Sequence, residues 1–201
     1  MIPAPFRGAW RRVSLSVDGG PPIEPSDVVW VQSASAYADL RVPRPGHADR
    51  HPPASFAGIT TWRDPHLHWR HDVDLDVDPI SAGGAAPAGG DVGRVWWDGA
   101  DLVETGTFGT GDRGTPYVEV WRRLPGSGGP TDDWASPDGT RRFVQAGDHA
   151  ITVADGRAAG GRYRACYRRR RAGAWTVELA LGDGAADLPL IPHPIEETTR
   201  S

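Results

Sequence analysis

An all-β fold of antiparallel strands curving round a core is what this sequence predicts, and three observations predict it. The run His66–Asp78 alternates with period two. Leu67, Trp69, His71, Val73, Leu75 and Val77 fall on one face, and His66, His68, Arg70, Asp72, Asp74, Asp76 and Asp78 on the other. Only a strand with one dry and one wet face needs that pattern, and its length suits a strand wrapping a barrel or sandwich. Gly (26) and Pro (19) are abundant and dispersed, as many turns between short strands require. No segment shows a helical period, although Ala34–Ala38 has room for one turn. His71 lies on the otherwise apolar face, so the interior is expected to hold a polar group.

Taken in order, strands are expected at Gly8–Val17, Asp27–Ser33, Ala36–Val42, Phe56–Arg63, Leu67–Val77, Val92–Asp98, Leu102–Thr107 and Pro116–Leu124. Four more are expected at Arg141–Gln145, Ala150–Val153, Gly161–Arg170 and Trp175–Leu181. Asp98-Gly99 and Asp155-Gly156 read as hairpin turns, because a primed turn needs positive φ. Pro43–Pro53, with His47 and His51, reads as a loop, and the uncharged Ser81–Gly90 as a flexible one. A Gly-rich linker, Gly126–Pro130, separates strand clusters at 7–124 and 140–181. The second cluster is too small to bury a good core alone. Both are therefore expected to build one barrel in a single domain, residues 1–187. Residues 188–201 form a Pro-rich, then polar tail.

Composition excludes several kinds of chemistry. Nine Trp stand against four Phe, and each buried Trp brings an N–H that needs a partner, so the interior is not purely oily. All 22 basic residues are Arg. Without lysine there is no P-loop lysine and no Schiff base. The single Cys166 excludes an internal disulfide, and with it zinc sites or iron–sulfur clusters built on several cysteines. A net charge of -4 gives no global pull towards nucleic acid. The first seven residues are no secretion signal, and no apolar run reaches membrane length. A soluble, cytoplasmic protein without nucleic-acid or membrane partners is expected. No Gly-x-Ser-x-Gly, His-Glu-x-x-His or dinucleotide-binding glycine pattern occurs in a fitting context.

An ordered set of fragments carries a family resemblance. It runs Trp10-Arg11-Arg12, Val29-Trp30-Val31-Gln32, Tyr37-Ala38-Asp39-Leu40-Arg41-Val42-Pro43, Phe56-Ala57-Gly58, Trp69 followed by Asp74, and Asp91-Val92-Gly93. Glu104-Thr105-Gly106 and Tyr117-Val118-Glu119-Val120-Trp121-Arg122 complete it. In this order they resemble calycin-like proteins of the HRI family, and Gly8-Ala9-Trp10 resembles the lipocalin Gly-x-Trp opening. The resemblance implies an antiparallel lipocalin/calycin-like β-barrel with a central cavity and a few additional strands. It does not choose among carriers, heme binders and enzymes.

Four groups are candidates for chemistry. His66 and His68 share a face at a workable ligand spacing, but they lack a third ligand and read as a solvated row, so no metal is assigned. His71 reads as a core histidine, a general base or an axial heme ligand. If their faces point inward, Trp30, Gln32, Tyr37, Asp39, Arg41, Tyr117, Glu119, Trp121 and Arg123 line a cavity with Trp69 and Glu104. Asp39, Glu119 or His71 would then move a proton, with Arg or Tyr stabilising an oxyanion. The fourth group is the arginine-rich strand around Cys166, which reads as an exposed basic strand with an inert thiol. The leading expectation is a barrel that takes an aromatic or polycyclic small molecule, as a carrier or as a cofactor-independent isomerase or cyclase. A heme or nitric-oxide binder with His71 as axial ligand is the first alternative. A protein-interaction module without a formed cavity is the second.

Overall fold

The computed structural model describes residues 1–76, 90–108 and 114–190. Eight antiparallel strands follow one another round a closed barrel. They are β1 (Gly8–Val17), β2 (Ser26–Gln32), β3 (Ala36–Pro43), β4 (Ala54–Arg63), β5 (His66–Asp74), β6 (Gly90–Asp98), β7 (Asp101–Phe108) and β8 (Thr115–Arg123). Five more form a flanking sheet in the order β13-β12-β11-β10-β9. These are β9 (Thr131–Ala135), β10 (Arg141–Ala146), β11 (His149–Asp155), β12 (Tyr163–Arg171) and β13 (Ala174–Leu181).

The expectation that both clusters build one barrel is corrected. β8 pairs along its length with β1, so the barrel closes on the first eight strands and leaves no edge for the rest. β9 was missed because Thr131-Asp132-Asp133-Trp134-Ala135 has little apolar content, yet it pairs fully with β10. Ala34–Ala38 is not helical. Ser33 Oγ accepts the Ala36 N–H at 2.9 Å, and Ala36 already opens β3. The Asp98-Gly99 turn is present, with Gly99 at φ +61° and Asp98 paired with Asp101. Asp155-Gly156 is not a tight hairpin. The chain makes a 3-10 turn over Arg157–Ala159 before β12, and the left-handed residue is Gly160. Of the loop expected at Ser81–Gly90, residues 81–89 lie outside the described residues, and Gly90 opens β6. The tail beyond residue 190 lies outside them too.

The sheet lies across the outer face of the barrel, mainly over β2 and β3. Val29, Val31, Ala38 and Leu40 meet Val144, Ile151, Val153, Tyr163 and Tyr167 in one cluster. β2 and β3 are therefore dry on both faces, which is why Ala36 through Leu40 are all buried. Each buried Val or Ile there contributes roughly 1.5–3 kcal/mol. Polar contacts fasten the rim of the contact. Ser33 Oγ donates to Asp133 at 2.7 Å, Tyr163 Oη donates to Ser55 O at 2.6 Å, and Arg142 pairs with Asp72.

β5 departs from strict alternation. Ala57 pairs with Val73 but Gly58 pairs with His71, so Asp72 is an extra residue in the ladder. Such a bulge flips everything after it to the other face. His71 and Asp74 both point into the barrel, while Val73 and Leu75 join the cluster under the sheet. Val77 and Asp78 lie outside the described residues.

Candidate functional site

One end of the barrel is stoppered by the N-terminus. Ile2 is fully buried, and a 3-10 turn at Ala4–Phe6 puts the Phe6 ring 4.8 Å from Trp62 and 5.8 Å from Trp97. Trp10 Nε1 donates to Phe6 O at 3.0 Å. Arg123 lies over the Trp10 ring at 4.2 Å and donates to Arg7 O at 2.6 Å. Above this plug the indoles interlock. Trp30 meets Trp121 edge-on at 5.6 Å and Trp69 at 6.0 Å. These three rings form the floor of a cavity of about 320 Å³.

The walls carry the titratable groups. Glu104 on β7 is fully enclosed and accepts from Tyr117 Oη at 2.8 Å and Trp121 Nε1 at 3.1 Å. Two glycines make room for this trio. A Cβ on Gly93 would come within 2.8 Å of the Glu104 side chain, and one on Gly106 within 2.5 Å of Tyr117 Oη. Burial, reinforced by the nearby charge of Glu119, pushes the Glu104 carboxyl up to about 8. Glu119 accepts from Arg12 at 2.5 Å and lies 3.5 Å from Arg41. Arg12 also bonds Glu24 at 2.9 Å, so a buried cation bridges β1, β8 and the β1–β2 loop. Asp39 accepts from Arg41 at 2.8 Å, yet burial still raises its carboxyl.

Nearer the mouth, Phe56 stacks on His71 at 4.5 Å, and His71 Nδ1 lies 2.6 Å from Asp74. His71 Nε2 is 3.3 Å from Asp91 but makes no hydrogen bond of good geometry. Burial opposes the imidazolium, but the two carboxylates outweigh it and raise His71 to about 9. The His71 imidazole 3.3 Å away in turn lowers Asp91, against the effect of burial. Two further groups lining the cavity are buried without partners among the described residues, Trp30 Nε1 and Tyr37 Oη.

The family model described as Protein HRI1 matches residues 9–192. The chain belongs to the HRI1 family. No curated protein and no solved structure matches it.

In this HRI1-family barrel, Trp30, Tyr37, Asp39, Arg41, Trp69, His71, Glu104, Tyr117, Glu119 and Trp121 all line the same cavity. Gln32 and Arg123 do not, which corrects their placement. Gln32 lies a layer too deep, where it accepts from Thr60 at 2.9 Å and donates to Ala36 O at 3.0 Å. Arg123 points out of the stoppered end and holds the plug. Phe56, Asp74, Asp76, Asp91 and Phe108 also line the cavity and were missed. The bulge hid Asp74, and Phe56 and Asp91 sit at strand starts where no periodicity reports a face.

The remaining candidates lie elsewhere. The His66 and His68 rings are 6.4 Å apart, and among the described residues no group of three side chains is placed to hold a metal. Cys166 is buried, and burial raises its thiol. The arginine strand is less exposed than expected, because Arg168 turns in to donate to Ala186 O and Leu188 O. No helix among the described residues is long and apolar enough to cross a membrane.

Proposed function

We propose that this barrel binds a small aromatic molecule in the Trp- and Tyr-lined cavity. One observation carries the reading. Among the described residues, Trp30 Nε1 and Tyr37 Oη are buried without hydrogen-bond partners, and both line this cavity. Buried polar groups are rarely left unpaired, and a ligand oxygen would satisfy them. The volume is at the low end for ligand sites, which favours one or two rings over a larger polycycle. Tryptophan quenching and thermal shift against a panel of aryl ketones, phenols, ethers and arylalkylamines test it. A saturable hit with a raised melting temperature supports the reading. No hit across the panel, or a hit unaffected by Trp30→Phe and Tyr37→Phe, overturns it.

An isomerase form of this reading draws on Glu104. A proton-transfer group works best with a pKa near the operating pH, and the Glu104 carboxyl, pushed up to about 8 by burial, meets that condition, whereas Asp39 and Glu119 are taken up in ion pairs with arginines. Exchange of solvent deuterium into an aryl ketone, abolished in Glu104→Gln, is the expected signature. Exchange at the uncatalysed rate leaves a carrier. The heme alternative draws no support from His71, which is held protonated between two carboxylates and offers no lone pair to iron. The interaction-module alternative expects no formed cavity, and the cavity described above lends it no support.

A further inference from the structure

The class of ligand follows from the charges on the cavity wall, and the inference rests on the small-molecule reading above. Among the described residues six carboxyl groups line the cavity, and with the Glu104 proton held by burial the negative charge falls to Asp39, Asp74, Asp76, Asp91 and Glu119. Among the described residues only two cations line it, Arg41 and His71. Neither is open to an anion. Arg41 is held by Asp39 and Glu119, and His71 lies between Asp74 and Asp91. Arg12 adds positive charge from behind Glu119, but Glu24 accepts from two of its nitrogens. Asp76 has no ion-pair partner among the described residues, and Asp91 has only His71. This surplus faces a partly enclosed space, where charges are poorly screened.

The two ends of the cavity differ. At the mouth, exposed Asp76 and Asp91 stand with Phe108, whose ring stacks on Tyr117 at 4.5 Å. Carboxylates beside aromatic faces suit an organic cation. At the floor, Trp30 and Tyr37 are 2% and 1% exposed, and their polar hydrogens have no acceptor among the described residues. An indole N–H only donates, so the inner end of the ligand must supply an oxygen.

We propose that the cavity takes an arylalkylammonium ligand, its ring oxygen against Trp30 and Tyr37 and its ammonium between Asp76 and Asp91. Binding is oriented by opposite demands at the two ends. A carboxylate-bearing analogue of the same shape is rejected by the surplus negative charge.

Calorimetric titration of the full chain with four matched probes tests this. They are para-methoxyphenethylamine, the neutral para-methoxyphenylethanol, para-methoxyphenylpropanoate, and phenethylamine without the ether oxygen. The methoxy amine is expected to bind roughly tenfold tighter than the alcohol, and the propanoate weakest of all. Phenethylamine is expected to bind several-fold more weakly than the methoxy amine. The pair Asp76→Asn and Asp91→Asn is expected to lower amine affinity roughly tenfold and to leave the alcohol unchanged, which also reports an intact fold. Alcohol or propanoate binding as well as the amine overturns the ammonium assignment. So does silence from all four probes while a neutral aromatic from the panel binds, and both results leave the small-molecule reading standing. Silence from probes and panel alike overturns both.

Discussion

His71 and Asp74 are three residues apart on β5, yet both face the cavity and meet at 2.6 Å. In a regular strand one of them would face out. The extra residue at Asp72 brings them together, and it also aims Asp72 at Arg142 of the flanking sheet.

The pairing makes stability depend on pH. His71 is raised from 6.5 to about 9 in the fold. Its contribution is full below the unfolded value and is lost as pH rises through about 9, amounting to no more than about 3 kcal/mol. Urea midpoints are expected to fall over this range. In His71→Gln the part of the slope between roughly pH 6.5 and 9 should vanish.

Glu104 adds a second component at lower pH. Its proton is held to about 8 against 4.5 in the unfolded chain, so the stability it contributes is lost as pH rises through about 8. Glu104→Gln keeps an oxygen for the Trp121 N–H and offers an N–H to Tyr117 Oη. The variant is expected to melt higher than the parent at about pH 9 and to match it near pH 4.5. An equal or lower melting temperature at the alkaline end counts against a buried acid.

The Arg12 bridge is expected to be costly to break. Arg12→Met leaves Glu119 with Arg41 alone at 3.5 Å and Glu24 with no guanidinium, at a cost of roughly 3–5 kcal/mol. Adding Glu119→Leu is expected to restore part of that loss, because the stranded charge goes with it. Chemical denaturation of the single and double variants reads both values.

Gly106 is expected to tolerate no side chain. In Gly106→Val the Tyr117 ring must leave Glu104, at a cost of about 1–3 kcal/mol and with a change in cavity shape. Gly128→Ala is the control, since a Cβ there meets nothing within 4 Å. The two should differ in melting temperature and in ligand affinity.

The plug is worth testing by itself. Phe6→Ala removes a ring stacked between Trp62 and Trp97 and is expected to cost about 3 kcal/mol. Melting with near-ultraviolet circular dichroism should register the loss of indole packing.

Much of the barrel was legible because a half-buried strand writes its period into the chain. Tyr37, Asp39 and Arg41, and likewise Tyr117, Glu119 and Trp121, alternate cleanly and line the cavity, although Arg123, next in the same period, does not. What escaped notice depended on partners. A bulge is a property of two strands, and nothing in Asp72 alone announces that Asp74 will turn inward. Gln32 carries the right period but lies one layer below the cavity, and depth along a strand leaves no mark on alternation. The sheet stayed hidden as a separate body for a related reason. Double burial of β2 and β3 shows only as short runs of Val and Ala, which a barrel wall alone would also allow.

Because the sheet backs only part of the wall, the barrel is not equally stiff all round. β2 and β3 are clamped between two dry layers, whereas on β6 only Gly93 and Val95 are buried. Opening fluctuations should therefore concentrate on the β6 side, where amide hydrogens are expected to exchange orders of magnitude faster than those of β3. A molecule wider than the mouth would be admitted by that thin side parting, with the clamped side acting as a fixed jaw.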